Sequence, residues 1–587
     1  MKTIKNALKD FNADSKRSSA NAIFKGMLPT LLNIIDTPIS LSIYLRLKYE
    51  AEGYPNVHPH NYDLLHDGIK RYKLDNQALA FVSKSNIIDR GVDTELAAKA
   101  SLVESELKNK ETNQRLAPYH RFSDKNCLRK HSLINSARGY LTNLLGPANV
   151  DFRLIFTGGS TTTARGVDKL VVNKIREKPS MTFSAARHFY SAIWSDPAAY
   201  AYAEHHRLID DAGALDSSAF IMEEYEEIFF VDKNWKTKRL ICLQNTINMS
   251  LQKSCADYMK RSLLMKQGVE LNTTPDLHSE IIKHGKFRGF KISTIDLKAA
   301  SDRISKELVR LLLPVDWYIL LKDVTHRKWS FGPNETVLSQ LLPEVPERFS
   351  AMGNGFTFEL ETLIFRSICH AVLDSHGIKG QPYSVFGDDI IFPTKYAEEL
   401  VDVLSFFGFE TNNEKTFIDS PFLESCGCDV FYHIDSRAIY YKDFDKGIRG
   451  YYALLNSLRR TSESIPWKAG RIYGLWSEII RKLRKISPYL LCAGPRSLGD
   501  ATIWCSTRDA RKFQFGSTPY TKDCILYAVG LHRVTKRNKY VKGSCYLDLA
   551  YMLSGYRSDG QLSTLETGAC NIKKHRIVFN DEACWLT

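Results

Sequence analysis

Cysteine is scarce: there are twelve in 587 residues, and only Cys426 and Cys428 stand close together. No Cys-x-x-Cys pair occurs, so neither a zinc ribbon nor a disulfide-stapled scaffold is indicated. Reduced, partly buried thiols in a cytosol are expected instead. Long apolar runs are also missing. The most apolar early stretch, residues 31–47, is broken by Asp36, Thr37 and Ser40 and is too interrupted to span a bilayer. The opening ten residues lack the apolar core of a signal peptide. The expectation is a soluble protein inside a cell, with no membrane partner. No segment repeats with the period of a solenoid or propeller.

Negative charge is in deficit. The chain has 80 Lys and Arg against 66 Asp and Glu, a net +14, with a pI near 9.0. Hydrophobic residues at 44% and charged residues at 25% match a globular chain with several cores and argue against disorder. The surplus is concentrated: residues 442–542 hold 21 Lys and Arg against 7 Asp and Glu, so the remainder is neutral. That window also carries Tyr451, Tyr452, Trp467, Trp476, Trp504, Phe513 and Phe515. The surplus charge fits a polyanion partner, either nucleic acid or an anionic membrane surface. Cations interleaved with rings suit a groove that neutralises phosphates while bases stack, which makes nucleic acid the expected partner of this window. Many of those rings are also needed for core, for instance along a helix at 472–483.

Upstream, residues 1–150 are polar and helix-compatible, with a clear helix expected at 95–110. The Thr-Gly-Gly-Ser-Thr-Thr-Thr stretch at 157–163 is either a flexible loop or a surface that contacts phosphates or template. Acidic residues 223–227 are followed at once by Lys233-Asn-Trp-Lys236-Thr-Lys238-Arg239, a change of sign compatible with a solvated strand pair. From 287 to about 433, short apolar runs such as 292–297 and 383–392 alternate with helical patterns, which predicts a mixed α/β core.

The chemistry concentrates in carboxylates. Gly387-Asp388-Asp389 lies between two β-rich runs and reads as a hairpin with adjacent acids at its tip. Two acids beside a core carry uncompensated charge that a divalent cation would relieve. Asp296, 92 residues earlier, ends an apolar run and precedes a turn. It is either a turn or helix-cap acid or, if its strand lies beside the hairpin, a partner of Asp388 and Asp389 in holding two Mg²⁺ ions. Between them, Gly353-Asn354-Gly355 opens an apolar helix as a small loop that can approach a ligand closely, or simply separates two helices. Lys415 sits alone in a polar loop, where a lysine is ordinarily solvent-facing.

Taken in order, these pieces resemble the RNA-directed RNA polymerases, or replicase beta subunits, of the small positive-strand RNA bacteriophages, the leviviruses. The residues that carry the likeness are Phe-Thr-Gly-Gly-Ser-Thr-Thr-Thr from 156, Lys233-Asn-x-Lys236-Thr-x-Arg239 and Asp296-Leu-x-Ala-Ala-Ser-Asp302. They continue with Met352-Gly-Asn-Gly-Phe-Thr-Phe-Glu-Leu-Glu361, Phe386-Gly-Asp-Asp-Ile-Ile, Thr411-Asn-x-x-Lys415-Thr-Phe and Glu424-Ser-Cys-Gly427. They span residues 150–435. The resemblance implies a right-hand α+β polymerase with fingers, an antiparallel-sheet palm with helices, and a thumb. It divides the chain into an N-terminal region with part of the fingers (1–220), further fingers (221–285), palm (286–435) and a basic, aromatic-rich thumb (436–587).

The same resemblance implies roles. Asp296, Asp388 and Asp389 would bind two Mg²⁺ ions, with Mn²⁺ an alternative. Lys233, Lys236 and Arg239 would meet triphosphate oxygens, Asp302 and Asn354 would read the ribose 2′-hydroxyl, and Lys415 would act as general acid. Gly353, Gly355 and Gly387 would form the loops near template and metals. It further implies a single-stranded RNA template, ribonucleoside triphosphates, and host elongation factors Tu and Ts with a host ribosomal protein, in the cytoplasm of an infected bacterium. The chain departs from the family pattern where Phe386 stands for a common Tyr, where Gln244 and Asn245 replace an expected acid and proline, and where Asp232 replaces a proline. A reverse transcriptase would share the carboxylates but not Gly387 or the Met-Gly-Asn-Gly context. A non-catalytic RNA-binding protein would use only the basic C-terminal window.

Overall fold

A computed structural model describes residues 19–504 apart from 63–67, 86–91, 122–127, 167–168, 170, 332–335, 445–446, 487–489 and 495. It also describes the backbone of two paired C-terminal strands. Phe513 and Phe515 lie outside the described residues.

Helices dominate the N-terminal part: α1 (Ala20–Ile35), α2 (Pro38–Lys48), α3 (Gly68–Ser83), α4 (Thr94–Leu116) and α5 (Leu128–Leu145). Local chemistry sets their starts. Ser19 Oγ accepts from Ala22 N at 3.1 Å, Thr37 and Ser40 cap each other reciprocally, and Asp93 accepts from the first turn of α4. The predicted helix at 95–110 is therefore present and longer.

Strands β1 (Tyr225–Asp232) and β2 (Lys238–Leu243) form an antiparallel hairpin, pairing Asp232 with Lys238. Helices α6 (Thr246–Gln267) and α7 (Thr274–His284) follow. Next come β3 (Lys286–Phe287), β4 (Phe290–Ile295) and β5 (Lys328–Ser330), the last running parallel to β1. Helix α8 (Thr357–Ser375) leads to the hairpin β6 (Ser384–Phe386) and β7 (Asp389–Pro393), followed by α9 (Ala397–Phe406) and the hairpin β8 (Phe422–Ser425) with β9 (Cys428–Phe431). Helices α10 (Ile448–Ser464) and α11 (Ala469–Ile486) precede β10 (Leu526–Arg537) and β11 (Thr564–Ile577).

The central sheet has the order β3-β4-β7-β6, with each neighbouring pair antiparallel. One face packs on the largest core, where α8 contributes Leu360, Leu363, Ile364, Phe365 and Ile368, all buried. The other face meets a smaller cluster of Ile282, Ile292, Ile391, Phe417, Phe422 and Val430. Burial on both faces explains why Ile390, Ile391 and Phe392 follow one another in β7 without polar alternation.

A separate core unites the two ends of the described chain. Phe24, Leu28, Ile43 and Phe81 from the N-terminal helices pack with Tyr441, Tyr452, Leu455, Trp476 and Leu483. Phe24 stacks on Tyr441 with ring centres 4.9 Å apart. Tyr451, Tyr452 and Trp476 are thus core rings, as composition alone required of many in that window, whereas Trp467 is 42% exposed. Arg471, Arg481, Lys482, Arg484 and Lys485 line the exposed side of α11. Among the described residues, no helix is long and apolar enough to cross a membrane.

Candidate functional site

The carboxylates meet because two strands pair. In the β4–β7 ladder Ile295 is opposite Ile390, so Asp296 and Asp389 leave neighbouring strands at the same level. The β6–β7 hairpin closes Phe386 on Asp389 through the two residues Gly387 and Asp388. Gly387 has φ +57°, the left-handed conformation a two-residue hairpin turn demands at its first position. Its N–H donates to Thr362 Oγ1 at 3.0 Å, and a Cβ there would overlap the Phe358 ring. This places Asp388 at the tip and Asp389 at the head of a buried strand.

Burial without enough positive charge governs the electrostatics. The Asp389 carboxyl is pushed up to about 7, first by burial and then by Asp388 and Asp296. Asp296 is pushed up to about 6 by burial, with Asp388 and Glu424 adding to the rise while Lys415 and a hydrogen bond from Asn412 oppose it. Asn412 Nδ2 donates to Asp296 Oδ2 at 2.8 Å. Lys415 Nζ lies 3.9 Å from Asp296 Oδ1 and 3.3 Å from Glu424 Oε1. Those acids hold the Lys415 ammonium above its ordinary range despite burial. Glu361 on α8 is buried beside this group, accepts from Ser301 Oγ at 2.8 Å, and is pushed up to about 8 by burial and by Asp388.

Mutually repelling hard oxygen donors suit a small divalent cation. Among the described residues, no group of three or more His, Cys, Asp or Glu side chains is placed to hold a metal ion by itself. A hard cation held by these acids would need water and phosphate oxygens to complete its coordination, as Mg²⁺ ordinarily does.

Asp296, Asp388, Asn412 and Lys415 line a cleft of about 760 Å³. Asp302, Lys233, Lys236 and Arg239 line the same cleft. The basic turn is held in place: Asn234 Oδ1 accepts from Lys236 N at 2.9 Å and Thr237 N at 3.1 Å, and Trp235 packs edge-on against Tyr54 at 5.2 Å. The Lys233 ammonium is lowered by desolvation and then by Arg239, while Asp388 and Asp296 pull it upward. Cations and acids thus share one opening, close enough for Asp388 and Asp296 to act on Lys233.

Asn354 is not brought to that cleft. Its Oδ1 accepts from Phe356 N at 3.1 Å at the start of α8, and its Nδ2 approaches Thr325 Oγ1 at 3.5 Å. The glycines on either side approach the chain itself. Gly353, at φ +112°, leaves no space for a Cβ against the Cys242 carbonyl, and Cys242 N donates to Met352 O at 2.8 Å. A Cβ on Gly355 would stand 2.8 Å from Gln252 Cβ. The Thr-Gly-Gly-Ser stretch is tied down rather than free: Lys174 Nζ donates to Thr157 O at 2.7 Å and Thr162 Oγ1 to Asn245 Oδ1 at 2.9 Å.

Sequence reading missed Glu361, Asn412 and Arg348. The first two sit inside motifs already singled out, whereas Arg348 carries no local signal. The acidic stretch before the basic turn also differs from a solvated stripe. Glu226 is buried against Arg348 at 3.1 Å, and Glu227 pairs with Arg165.

The family described as RNA replicase, beta-chain, matches residues 54–493. The RNA-directed RNA polymerase subunit beta of Enterobacteria phage SP is 29% identical over 462 residues, which cover 76% of this chain and 74% of that protein. The subunit beta of Escherichia virus Qbeta is 30% identical over 442 residues, 74% of this chain and 69% of that one. The beta chain of Escherichia phage MS2 is 34% identical over 249 residues, 42% and 44% of the two chains. Among solved structures, the RNA-dependent RNA polymerase of a human picorbirnavirus is similar at a TM-score of 0.32 and 14% identity, covering 49% of this chain and 60% of that one. That likeness is too slight to define the fold.

The matches define an RNA-directed RNA polymerase, a nucleotidyltransferase that makes RNA on an RNA template. The chain belongs to the RNA replicase beta-chain family of RNA bacteriophages.

Proposed function

We propose that this chain is the catalytic subunit of a replicase that copies a single-stranded RNA phage genome from ribonucleoside triphosphates. The observation that carries this reading is the β4–β7 pairing, which brings Asp296 level with the Asp388-Asp389 turn in a cleft that also carries Lys233, Lys236 and Arg239. Asp296, Asp388 and Asp389 would hold two Mg²⁺ ions, or Mn²⁺ in their stead. When bound, such ions lower the pKa of a 3′-hydroxyl and neutralise charge on a leaving pyrophosphate.

The protein's own residues do the rest. Lys233, Lys236 and Arg239 pair with triphosphate oxygens, and their fixed turn orients the triphosphate. Lys415, kept protonated by Glu424 and Asp296, gives its proton to the departing pyrophosphate. Asp302 accepts a hydrogen bond from the ribose 2′-hydroxyl, the group that separates RNA from DNA precursors. Residues 221–285 serve as fingers with part of 1–220, residues 286–435 as palm, and residues 436–587 as thumb. The first helices pack onto that thumb, and the exposed cations of α11 grip RNA there.

Host elongation factors Tu and Ts and a host ribosomal protein complete the holoenzyme in the bacterial cytoplasm. The test is incorporation of labelled ribonucleotides on a single-stranded RNA template with Mg²⁺, comparing wild type with Asp388→Ala, each with and without host extract. Synthesis by wild type and none by the variant is expected, with extract required. Equal activity of the two would overturn the metal assignment. Synthesis without extract would overturn the need for host partners.

A further inference from the structure

Arg348 is among the most enclosed charges of the molecule, its side chain only 1% exposed. Three segments share its guanidinium. Nη2 donates to Glu226 Oε1 on β1 at 3.1 Å and to Cys242 Sγ on β2 at 3.1 Å, and Nη1 donates to Asp302 Oδ1 at 3.3 Å. The guanidinium also lies over the Trp329 ring on β5, 4.9 Å from its centre.

Its far side is fixed in turn. Glu226 Oε2 accepts from Gln244 Nε2 at 2.7 Å, and Gln244 Oε1 accepts from Gln252 Nε2 at 3.0 Å and faces His326 Nδ1 at 2.9 Å. Asp302 is the one partner of Arg348 that also lines the cleft. Only its Oδ1 is engaged: among the described residues, no protein hydrogen bond to Oδ2 is found.

We infer that Arg348 is a positioning residue for sugar selection, which fixes Asp302 by one oxygen so that the other is presented to the ribose 2′-hydroxyl. The inference rests on the reading of Asp302 as the acceptor of that hydroxyl. A carboxylate on a short turn otherwise rotates and relaxes toward other donors, such as nearby Lys233 or Arg303. The planar, always-charged fork of arginine can hold two carboxylates in one plane and lie on an indole at once, whereas lysine offers a single point charge. A fixed acceptor discriminates against a deoxynucleotide because that substrate leaves it unpaired.

The experiment measures kcat/KM for GTP and for dGTP on one template, using full-length enzyme in host extract. It compares wild type, Asp302→Ala, Arg348→Lys, Arg348→Met and the Asp302→Ala/Arg348→Met double variant. Asp302→Ala should lower the preference for GTP about tenfold by losing one charged hydrogen bond. Both Arg348 variants should lower it similarly with dGTP use unchanged, and the double variant should be no worse than Asp302→Ala. A purely structural role would slow both nucleotides alike, and that result overturns the inference. So does full GTP preference in Arg348→Lys when Asp302→Ala has lost it. An unchanged preference in Asp302→Ala removes the sugar-reading role of Asp302 itself, and the inference falls with it, whatever Arg348 does. Should Arg348→Met fail to melt cooperatively, Arg348→Lys and Glu226→Gln carry the same comparison, the latter loosening Arg348 from its opposite anchor and again lowering GTP preference.

Discussion

Lys415 Nζ stands 3.9 Å from Asp296 Oδ1, so a lysine from a polar loop and an acid from the end of a buried strand form one charge pair at the cleft. Glu424, 3.3 Å from the same ammonium, makes it a triad. Lys415 is thus tethered to two acids at the cleft.

If that ammonium delivers a proton to pyrophosphate, Lys415→Met should lower kcat by about 10²-fold, the lower end of general acid contributions, with little change in KM. Single-turnover incorporation separates the two parameters. A raised KM with kcat intact would instead make Lys415 a triphosphate-binding group.

The repelling carboxylates predict a metal-linked stability. Adding Mg²⁺ to metal-free protein should raise its melting temperature, by the equivalent of about 1–3 kcal/mol at saturating metal. Chelation should abolish both that rise and RNA synthesis. Asp388→Ala should remove the rise while leaving the fold, as checked by scanning calorimetry with and without Mg²⁺.

Gly353 is predicted to be intolerant of any side chain. Its φ of +112° and the Cys242 carbonyl against its α-carbon should make Gly353→Ala less stable by about 3 kcal/mol, combining backbone strain with overpacking. Urea unfolding measures this directly. A change below about 0.5 kcal/mol, the range of neutral surface substitutions, would show that the loop and β2 do not pack as described.

His278 predicts a pH dependence. It is fully buried on α7, its Nδ1 2.7 Å from Ser425 Oγ and its Nε2 2.9 Å from Ser384 Oγ, and burial pushes its pKa down to about 4 from 6.5. Between those values the unfolded chain binds the proton and the folded chain does not. The stabilisation is therefore full above about pH 6.5 and declines as pH falls toward 4, by up to about 3 kcal/mol. His278→Gln should be less stable at neutral pH yet lose less on acidification, as urea midpoints at pH 7 and pH 5 would reveal.

Much of the cleft was readable from local pattern. A two-residue Gly-Asp turn between β-rich runs specifies a hairpin, and an acid ending an apolar run specifies a carboxylate at a strand end. Both features depend on backbone geometry within a few residues. The strand pair and basic turn of β1 and β2 were legible for the same reason, whereas the burial of Glu226 was not. Glu226 alternates inward on its strand, toward a cation that lies 122 residues away in sequence.

What the sequence alone determined is the set of local elements, the order of its motifs and the concentration of positive charge near the C-terminus. Which acids share a cleft, which aromatic rings become core and which residue anchors Asp302 were decided only by tertiary structure. The bonds responsible join Asp302 to Arg348, Asp296 to Asn412, and Tyr441 to Phe24, each across tens to hundreds of residues. Periodicity and turn chemistry act over one or two turns of chain. Burial and ion pairing depend on what the completed fold brings alongside, and it is burial that raises the carboxylates of this site above their ordinary range.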